Sequence, residues 1–336
     1  MDNTCGFVND EWRRWIAENL MLGSQSGDVL RMMIERNILP GEAEREINAA
    51  LTSPYLLGAK RLKNRLAKLG WLLDIQRKLN RQLPLELERR HKLKRDIFLR
   101  EYYTANRPVV ITGMMDMWPA MEKWTLDYFR EEYGEREVEV QFGRNSDAYY
   151  ELNSVAHRRT MKFRQFVTLV ETAGRTNDFY MTANNGSQNR LSLDGLWRDI
   201  PQMPEYLDPL STDQGFLWFG PAGTVTPLHH DLTNNFMAQV IGRKRVLIVP
   251  ACEVANMYNH VHCYSPVDGT KVDYQRYPRM QNVQMLHFIL KPGEILFLPV
   301  GCWHLVEGMD ITVTVSFINF LWDNDFSSNF PNGLEY

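Results

Sequence analysis

Three residues of this chain are of the types that hold a redox-active metal. His229 and Asp231 stand two positions apart in the segment TPLHHD, and His304 lies far downstream. Alternate side chains of a β-strand project to one face, so His229 and Asp231 can share a cavity while His230 points away. A second strand must then deliver His304. Two histidines and a carboxylate on one face of an octahedral metal leave three positions open, as in non-haem Fe(II) oxygenases.

The residues that follow this segment strengthen the prediction of a metal site, because a bare His-x-Asp pattern also occurs in ordinary half-buried strands. Asn235 lies six positions after His229, and Lys244 lies fifteen after it, beyond a turn at Gly242-Arg243. The predicted apolar lining around this lysine consists of Phe236, Val240, Val246 and Ile248. A lysine buried there is costly without a carboxylate partner. A dicarboxylic co-substrate would supply that partner.

Several motifs resemble the JmjC oxygenases, and within them the protein hydroxylases of the asparaginyl and arginyl type. Residues 223–231 (GTVTPLHHD) and 235–244 (NFMAQVIGRK) look like the core of that family. Residues 107–113 (RPVVITG) and 118–124 (WPAMEKW) are similar to its entry strand and the helix that follows. The resemblance covers residues 91–322 and rests on independently spaced motifs, which makes it specific.

The resemblance implies that His229, Asp231 and His304 bind Fe(II). The metal must stay open to a bidentate 2-oxo acid and then to O2, which a closed four-ligand site would prevent. Oxidation of a C–H bond with release of succinate and CO2 is the expected chemistry, while the protein positions the target carbon and excludes water. Trp303, beside His304, is expected to pack as a wall of the site.

The same resemblance implies a set of co-substrate contacts. It places the distal carboxylate of 2-oxoglutarate on Lys244 and assigns the remaining contacts to Thr226, Tyr180, Asn235 and Ser316. The hydroxyls of Thr226 and Tyr180 would share that carboxylate, and Asn235 would lie near the co-substrate and the iron. Ser316 and Ile318 stand where the asparaginyl hydroxylase has asparagine and tryptophan, so the chain departs there from that enzyme's contacts.

Length and composition suit a two-domain enzyme. The chain has 336 residues with 44% hydrophobic content, enough for a sizeable buried core. Its apolar runs are too short to span a membrane, and residues 1–6 lack the basic flank and apolar core of a signal peptide. Four cysteines with no CxxC pairing predict reduced thiols. The expected location is cytoplasmic.

Residues 1–90 are predicted to form a helical domain. Apolar residues recur at helical spacing in three successive stripes: Trp12, Trp15, Ile16 and Leu20; Val29, Met32, Met33 and Ile34; Ala43, Ile47, Ala50 and Leu51. Asn9-Asp10-Glu11 is a plausible cap for the first helix. A longer helix is expected from Leu56, with Leu62, Leu66, Leu69 and Leu73 on one side, ending before Pro84. Met32 and Met33 are both expected in the core.

Residues 91–336 are predicted to form the catalytic domain, a mainly β fold with some α structure. Strands are expected at 108–112, 137–142, 215–219, 235–241, 245–249, 285–290, 295–299 and 311–320, and helices at 126–133 and 163–172. Antiparallel strands around a small-ligand site indicate a double-stranded β-helix, the jelly roll of cupin and JmjC proteins. The two helices should pack outside one sheet.

Two other features allow more than one interpretation. Residues 60–100 contain fourteen Lys or Arg and four Asp or Glu, a net charge of +10. Such a run could bind nucleic acid, an acidic peptide or the acidic remainder of the chain. We interpret it as the solvated face of a long helix, because Trp71 is the only aromatic residue placed to stack on nucleic-acid bases. His260, His262, Cys263 and Cys252 could form a zinc site, but their spacing matches no standard module and favours a loop.

The predicted function is hydroxylation of an amino-acid side chain in a protein or peptide by an Fe(II)- and 2-oxoglutarate-dependent dioxygenase. The alternatives are a small-metabolite hydroxylase with the same mechanism, an N-methyl-lysine demethylase, and a non-catalytic cupin-fold binding protein. The expected partners are the protein or peptide substrate and a second copy bound through the N-terminal helices, without nucleic acid or membrane. Loops around Asn184-Asn185, at 258–277 and after Trp322 are expected to face the target.

Overall fold

The computed structural model describes residues 7–82, 86–183, 186–211, 215–259, 261–328 and 330–331. The chain divides into two compact units, Met1–Lys78 and Leu79–Tyr336. The units meet between Lys78 and Leu79, earlier in the chain than the predicted domain boundary between residues 90 and 91. The functions assigned to the two domains stay predictions. The predicted features at residues 1–6, Pro84, Asn184-Asn185 and His260 lie outside the described residues.

The first unit is helical. Its helices are α1 (Asp10–Leu22), α2 (Ser26–Glu35), α3 (Pro40–Thr52) and α4 (Pro54–Asn80), the last of which continues to the start of the second unit. The side chain of Asn9 caps α1 by accepting a hydrogen bond from the Trp12 backbone N–H at 3.0 Å. One cluster joins the first three helices through Trp12, Ile16, Val29, Met33, Ile38, Ala43 and Ile47.

The helical unit differs from its predicted pattern at two places. Met33 is buried, but Met32 is 43% exposed, so the prediction that both methionines belong to the core is wrong for Met32. No residue of α4 is buried, although its leucines recur at helical spacing. The helix therefore has apolar positions that the described part of the chain does not cover.

The second unit contains a jelly roll, as predicted. Its strands are β1 (Arg89–His91), β2 (Val109–Thr112), β3 (Glu137–Phe142), β4 (Arg158–Lys162), β5 (Phe179–Tyr180), β6 (Phe216–Gly220), β7 (Val225–His230), β8 (Asn235–Ile241), β9 (Lys244–Val249), β10 (Leu286–Leu290), β11 (Glu294–Leu298), β12 (Trp303–Gly308) and β13 (Thr312–Phe317). Six strands form one sheet in the order β1-β2-β11-β8-β13-β6, and four form its partner in the order β10-β9-β12-β7. A third sheet has the order β4-β3-β5.

The helices of this unit lie between the strands along the chain. They are α5 (Arg95–Phe98), a π-helix (Leu99–Tyr103), α6 (Ala120–Lys123), α7 (Leu126–Glu132), α8 (Phe163–Thr172) and α9 (Gly186–Ser192), with 3-10 turns at Arg144–Ser146, Asp194–Asp199, Ala251–Asn256 and Pro278–Asn282. Phe129 of α7 and Phe166 of α8 join the large core that covers one face of the six-stranded sheet. Phe98, before the π-helix, reaches the same core. The helices thus support this sheet from outside, as predicted.

A smaller core fills the space between the two sheets. Val246 and Ile248 of the four-stranded sheet meet Met237 and Leu296 of the six-stranded sheet there. Phe236 and Val240 instead join the core on the opposite face of β8. The prediction that they line the interior beside Lys244 is therefore wrong, because neighbouring positions of a strand alternate between faces.

Among the described residues, no helix is both long and apolar enough to cross a membrane.

Candidate metal centre and co-substrate pocket

Strands β7 and β12 bring the predicted metal ligands together. His229 of β7 lies directly opposite His304 of β12, and Asp231 follows β7 by one residue. The register shifts between His304 and Val306, so that Val306 lies opposite Thr226. The extra residue in β7 is a β-bulge, which places Thr226 and His229 on one face although they are three positions apart. Strict alternation of a strand would have separated them.

The ligand atoms of His229, Asp231 and His304 all lie within 4.8 Å of one another. His229 Nε2 is 3.6 Å from Asp231 Oδ1, and His304 Nε2 is 3.9 Å from Asp231 Oδ2. The two imidazole centroids are 4.1 Å apart. Three donor atoms of mixed nitrogen and oxygen type at this separation fit one divalent metal ion with an open face.

Backbone carbonyls orient both imidazoles. His229 Nδ1 is 2.8 Å from the carbonyl oxygen of Pro227, and His304 Nδ1 is 3.0 Å from that of Cys302. An Nδ1–H that donates to a carbonyl leaves the Nε2 lone pair free for a metal and fixes the ring. The amide nitrogen of Asn235 donates to Asp231 Oδ2 at 3.2 Å and orients the carboxylate in the same way.

Burial and charge set the ionisation of the three groups. Burial, and then the neighbouring His229, lowers the pKa of His304 to about 4, so its imidazole is neutral at pH 7. Burial alone would raise the pKa of Asp231, but His304, His229 and Asn235 together lower it. Burial would lower the pKa of His229, but the hydrogen bond and charge of Asp231 outweigh it and raise this pKa. An ionised carboxylate is thereby favoured beside two imidazoles.

The intervening His230 lies on the opposite face of β7. Its ring packs edge-on against Trp303, with 4.7 Å between centroids, and lies 5.9 Å from the ring of Phe330. Burial lowers the pKa of His230. Trp303 is completely buried among the apolar residues outside the four-stranded sheet. It therefore packs behind the site through His230, and does not line the metal cavity as a wall.

Lys244 begins β9 and is 1% exposed. Its Nζ lies 3.1 Å from the hydroxyl of Tyr180 and about 6 Å from the ring centre of Trp218. Burial lowers the pKa of Lys244 to about 7. Within the described part of the chain, no carboxylate lies within 4.0 Å of this ammonium group. An anionic ligand in the cavity would supply the missing partner.

The predicted co-substrate residues line one cavity with the three predicted metal ligands. The residues that border it are Tyr180, Trp218, Thr226, His229, Asp231, Asn235, Met237, Lys244, His304, Val306 and Ser316. Thr226 and Ser316 are both nearly buried. The hydroxyl of Ser316 accepts a hydrogen bond from the indole N–H of Trp218 at 2.8 Å. The serine is thus held by a tryptophan on β6.

Trp218, Met237 and Val306 also line this cavity, and no sequence motif predicted them. Nor did a motif predict the buried pair Arg144–Glu151, in which Arg144 Nη2 lies 2.8 Å from Glu151 Oε1. Side chains alternate between the two faces of β6 (FLWFG), and this alternation could have predicted that Trp218 points to the interior face. Arg144 and Glu151 lie in an irregular segment between β3 and β4, where residue periodicity gives no direction.

The zinc cluster that the sequence allowed is not assembled among the described residues. The only group of three or more His, Cys, Asp or Glu with converging ligand atoms in the described ranges is His229, Asp231 and His304. Cys263 Sγ lies 2.9 Å from Nδ1 of its neighbour His262, and both residues belong to a loop. His260 lies outside the described residues.

Comparison with known proteins agrees with this geometry. Residues 94–328 match the cupin-like domain family. The chain is 33% identical to lysine-specific demethylase 8 of Xenopus tropicalis over 235 residues, covering 66% of this chain and 49% of that protein. It is 34% identical to lysine-specific demethylase JMJ30 of Arabidopsis thaliana over 252 residues, with coverage of 72% and 56%. It is 26% identical to tRNA wybutosine-synthesizing protein 5 of Gallus gallus over 240 residues, with coverage of 68% and 74%.

The chain belongs to the cupin-like domain family and to the JmjC superfamily of 2-oxoglutarate oxygenases. Members of that superfamily use Fe(II), 2-oxoglutarate and O2, and the three converging side chains described above could bind the metal. The chain spans about half the length of the two demethylases. Their activities therefore do not transfer directly.

Proposed function

We propose that this chain is an Fe(II)- and 2-oxoglutarate-dependent dioxygenase that oxidises a C–H bond of a side chain in a protein or peptide. The observation that carries the proposal is the convergence of His229, Asp231 and His304 beside a buried lysine with no carboxylate partner among the described residues. One atom of O2 enters the target C–H bond and the other enters succinate as 2-oxoglutarate loses CO2. The bound metal and co-substrate supply the oxidising power for this reaction.

The side chains of the chain itself have four tasks in this proposal. His229, Asp231 and His304 hold the metal on one face, and Asn235 fixes the orientation of Asp231. Lys244 pairs with the distal carboxylate of 2-oxoglutarate, with the hydroxyls of Tyr180 and Thr226 beside it. Ser316 and Trp218 close the wall of the cavity. Met237 and Val306 keep that wall apolar and exclude water.

Two outcomes of the same oxidation remain candidates. Hydroxylation of a side-chain carbon leaves the oxygen on the product. Demethylation of N-methyl-lysine begins with hydroxylation of the methyl carbon, after which formaldehyde leaves and the amine is restored. The names of the relatives favour demethylation over stable hydroxylation. The ligands and Lys244 serve both reactions equally, so the target side chain decides between them.

The test is incubation of the full chain with peptides, Fe(II), 2-oxoglutarate and O2, followed by mass spectrometry and succinate measurement. We expect succinate to form only with both Fe(II) and 2-oxoglutarate, together with either one added oxygen atom or a lost methyl group and formaldehyde. His230→Ala should keep most of the activity and Asp231→Ala should be inactive. Absence of succinate would refute the dioxygenase and favour a binding protein.

The same assay tests whether the substrate is a small metabolite. Oxidation of small amino acids or their derivatives, without oxidation of any peptide, would favour the metabolite hydroxylase. A cytoplasmic location belongs to this proposal, because reduced thiols suit Fe(II) chemistry and Cys263 and Cys302 are both buried. Fractionation of the expressing cells tests it.

A further inference from the structure

A second cavity, which we call the outer cavity, lies apart from the metal ligands. It has a volume of about 130 Å³, and the lining residues that determine its chemistry are Trp197, Met203, Asp208, Phe317 and Asn319. One water molecule takes up about 30 Å³ of the liquid, and a protein cavity of about 150 Å³ can hold a benzene ring. The outer cavity is therefore large enough for one long side chain of a ligand.

Strand β13 separates the outer cavity from the metal cavity. Ser316 lines the metal cavity, whereas the next residue, Phe317, lines the outer cavity. Successive side chains of a strand project to opposite faces of the sheet. Phe317 also belongs to the large core that covers the outer face of the six-stranded sheet. A ligand in the outer cavity is therefore held away from the residues that would bind the metal.

Hydrogen bonds join the two segments that form the walls of the outer cavity. The backbone N–H of Asp208 donates to the carbonyl oxygen of Asn319 at 2.8 Å, and the side-chain amide of Asn319 donates to the carbonyl oxygen of Asp208 at 3.1 Å. A backbone bridge between Leu207 and Phe320 continues this pairing. The walls are thus ordered without a ligand, which lowers the entropic cost of binding one.

The polar part of the outer cavity offers acceptors without a cation to use them. One carboxylate oxygen of Asp208 accepts a hydrogen bond from the backbone N–H of Leu210 at 2.9 Å. In the described ranges, no lysine, arginine or histidine nitrogen lies within 4.0 Å of this carboxylate, and none of these residue types lines the cavity. The side-chain oxygen of Asn319 is buried and has no hydrogen-bond partner among the described residues. A cation with several N–H donors would satisfy both groups.

The rest of the lining suits a cation with an apolar stem and a peptide backbone. Met203 and Phe317 are nearly buried, and Trp197 is half-buried. Lysine and arginine pack their methylenes on such surfaces, and their charged groups are attracted to aromatic rings. The indole N–H of Trp197 is buried without a partner among the described residues. A free amine offers this donor nothing, whereas a residue in a peptide also has a carbonyl acceptor.

We propose that the outer cavity binds a lysine or arginine side chain of a protein or peptide. The ammonium or guanidinium group pairs with Asp208 and donates to Asn319, while the methylenes pack on Met203 and Phe317. Neither Fe(II) nor 2-oxoglutarate takes part, so this binding goes beyond the proposed oxidation and does not depend on it. The outer cavity would anchor a basic segment of a partner at a position separate from the metal cavity.

The experiment measures binding of capped pentapeptides to the full chain labelled with ¹⁵N-tryptophan. The central residue is lysine, arginine, norleucine or citrulline, and the other positions are glycine. Norleucine and citrulline are neutral counterparts of the two cationic side chains. Trp197→Phe and Trp218→Phe assign the two indole N–H signals. We expect the lysine and arginine peptides to shift the Trp197 signal saturably, with at least about tenfold higher affinity than the neutral peptides, and to leave the Trp218 signal of the metal cavity unchanged.

Asp208→Asn removes the charge and keeps the shape of the side chain, and its oxygen can still accept from the Leu210 N–H. We expect the cationic peptides to bind about threefold to tenfold more weakly, and the neutral peptides to bind as before. Glu205→Gln is the matched control, because Glu205 is exposed, lies three positions earlier and is not part of the lining. It should change the affinity by less than about twofold.

Two outcomes would overturn the charge recognition. One is equal weakening by Asp208→Asn and Glu205→Gln, which would show a general charge effect. The other is equal affinity for the arginine and citrulline peptides, a comparison that needs no variant. A shift of the Trp218 signal in place of the Trp197 signal would assign the binding to the metal cavity.

n-Butylammonium tests whether the occupant is a residue of a peptide. Affinity equal to that of the lysine peptide would identify a site for free amines and overturn the assignment to a protein or peptide. None of these measurements involves turnover. Absence of succinate would refute the proposed dioxygenase and leave the outer cavity as a binding site, whereas failure of cationic peptides to bind would leave the dioxygenase intact.

Discussion

The predicted metal ligands and His230, which lies between two of them, provide the sharpest test at the scale of single residues. Asp231→Ala removes the only carboxylate among the three converging side chains, so Fe(II) affinity and turnover should both be lost while the fold persists. His230→Ala should keep most activity, because its ring packs on Trp303 behind the site. Metal titration and succinate release measure both. An inactive His230→Ala beside an active His229→Ala would show that the assigned strand register is wrong.

Lys244 provides a separate test of the co-substrate contact. Lys244→Ala leaves a buried carboxylate unpaired, at a cost of about 2–4 kcal/mol, or roughly 30- to 1,000-fold in 2-oxoglutarate affinity. Fe(II) affinity should change little. Arg245→Ala is the matched control, since its side chain pairs with Glu307 at 2.7 Å and is exposed. Calorimetric titration would show the same affinity in both variants if Lys244 did not contact the co-substrate.

The low pKa of Lys244 adds a dependence on pH. Burial lowers this pKa to about 7 in the free protein, and a bound carboxylate favours the ammonium and raises it. The affinity for 2-oxoglutarate should therefore be full below about pH 7 and fall up to about tenfold per unit as pH rises toward the pKa of the complex. Calorimetry in buffers of different ionisation enthalpy should detect proton uptake above pH 7. Lys244→Ala should show no such uptake.

The residues that the sequence could predict are those that a motif names. His229, Asp231, His304, Lys244 and Tyr180 follow from the JmjC resemblance, and the structure places all five around one cavity. Their roles remain proposals. Arg144 and Glu151 could not be predicted, because they lie in an irregular segment between β3 and β4, where residue periodicity gives no direction.

At the scale of elements, the strands with clear apolar patterns were predicted well and the irregular ones were not. β3 and β8 have the predicted bounds, and β9 differs only by including Lys244. The short edge strands β1, β4 and β5 were missed, because three to five residues with mixed polarity carry little periodicity. The bulge in β7 was also missed, although it is what aligns Thr226 with His229.

The turn between β8 and β9 gives an element-scale prediction. Gly242 has a φ of +68°, and a Cβ there would overlap the backbone oxygen of Ile311. Gly293 has a φ of +84° with open space around its Cα, so it is the matched control. Gly293→Ala should cost about 1–2 kcal/mol, or about 2–8 °C in Tm. Gly242→Ala should lower Tm further and weaken 2-oxoglutarate binding, because Lys244 follows two positions later. Equal Tm values would contradict this role of the turn.

At the scale of the whole molecule, helix α4 carries a stripe of exposed leucines. Leu62, Leu66 and Leu69 of α4 are 59%, 65% and 59% exposed and recur at steps of four and three residues. Fully burying one leucine side chain stabilises a protein by about 1.5–3 kcal/mol, so covering this stripe is favourable. A self-associating helix pair is one way to cover it. The sequence predicted the stripe but contained nothing to identify what covers it.

We therefore expect the full chain to form a dimer through α4. The helix has seven basic residues and one acidic residue, so two copies repel electrostatically and the dimer should strengthen as salt screens that repulsion. Replacing Leu62, Leu66 and Leu69 with serine should give a monomer by light scattering, whereas Leu210→Ser, at an 89% exposed position of the second unit, should not. Succinate formation without peptide should be equal in both variants, because the metal ligands lie in the second unit.

A full chain that stays monomeric at all salt concentrations would exclude the dimer. Association with an acidic peptide that weakens in salt would instead assign α4 to a heterologous partner.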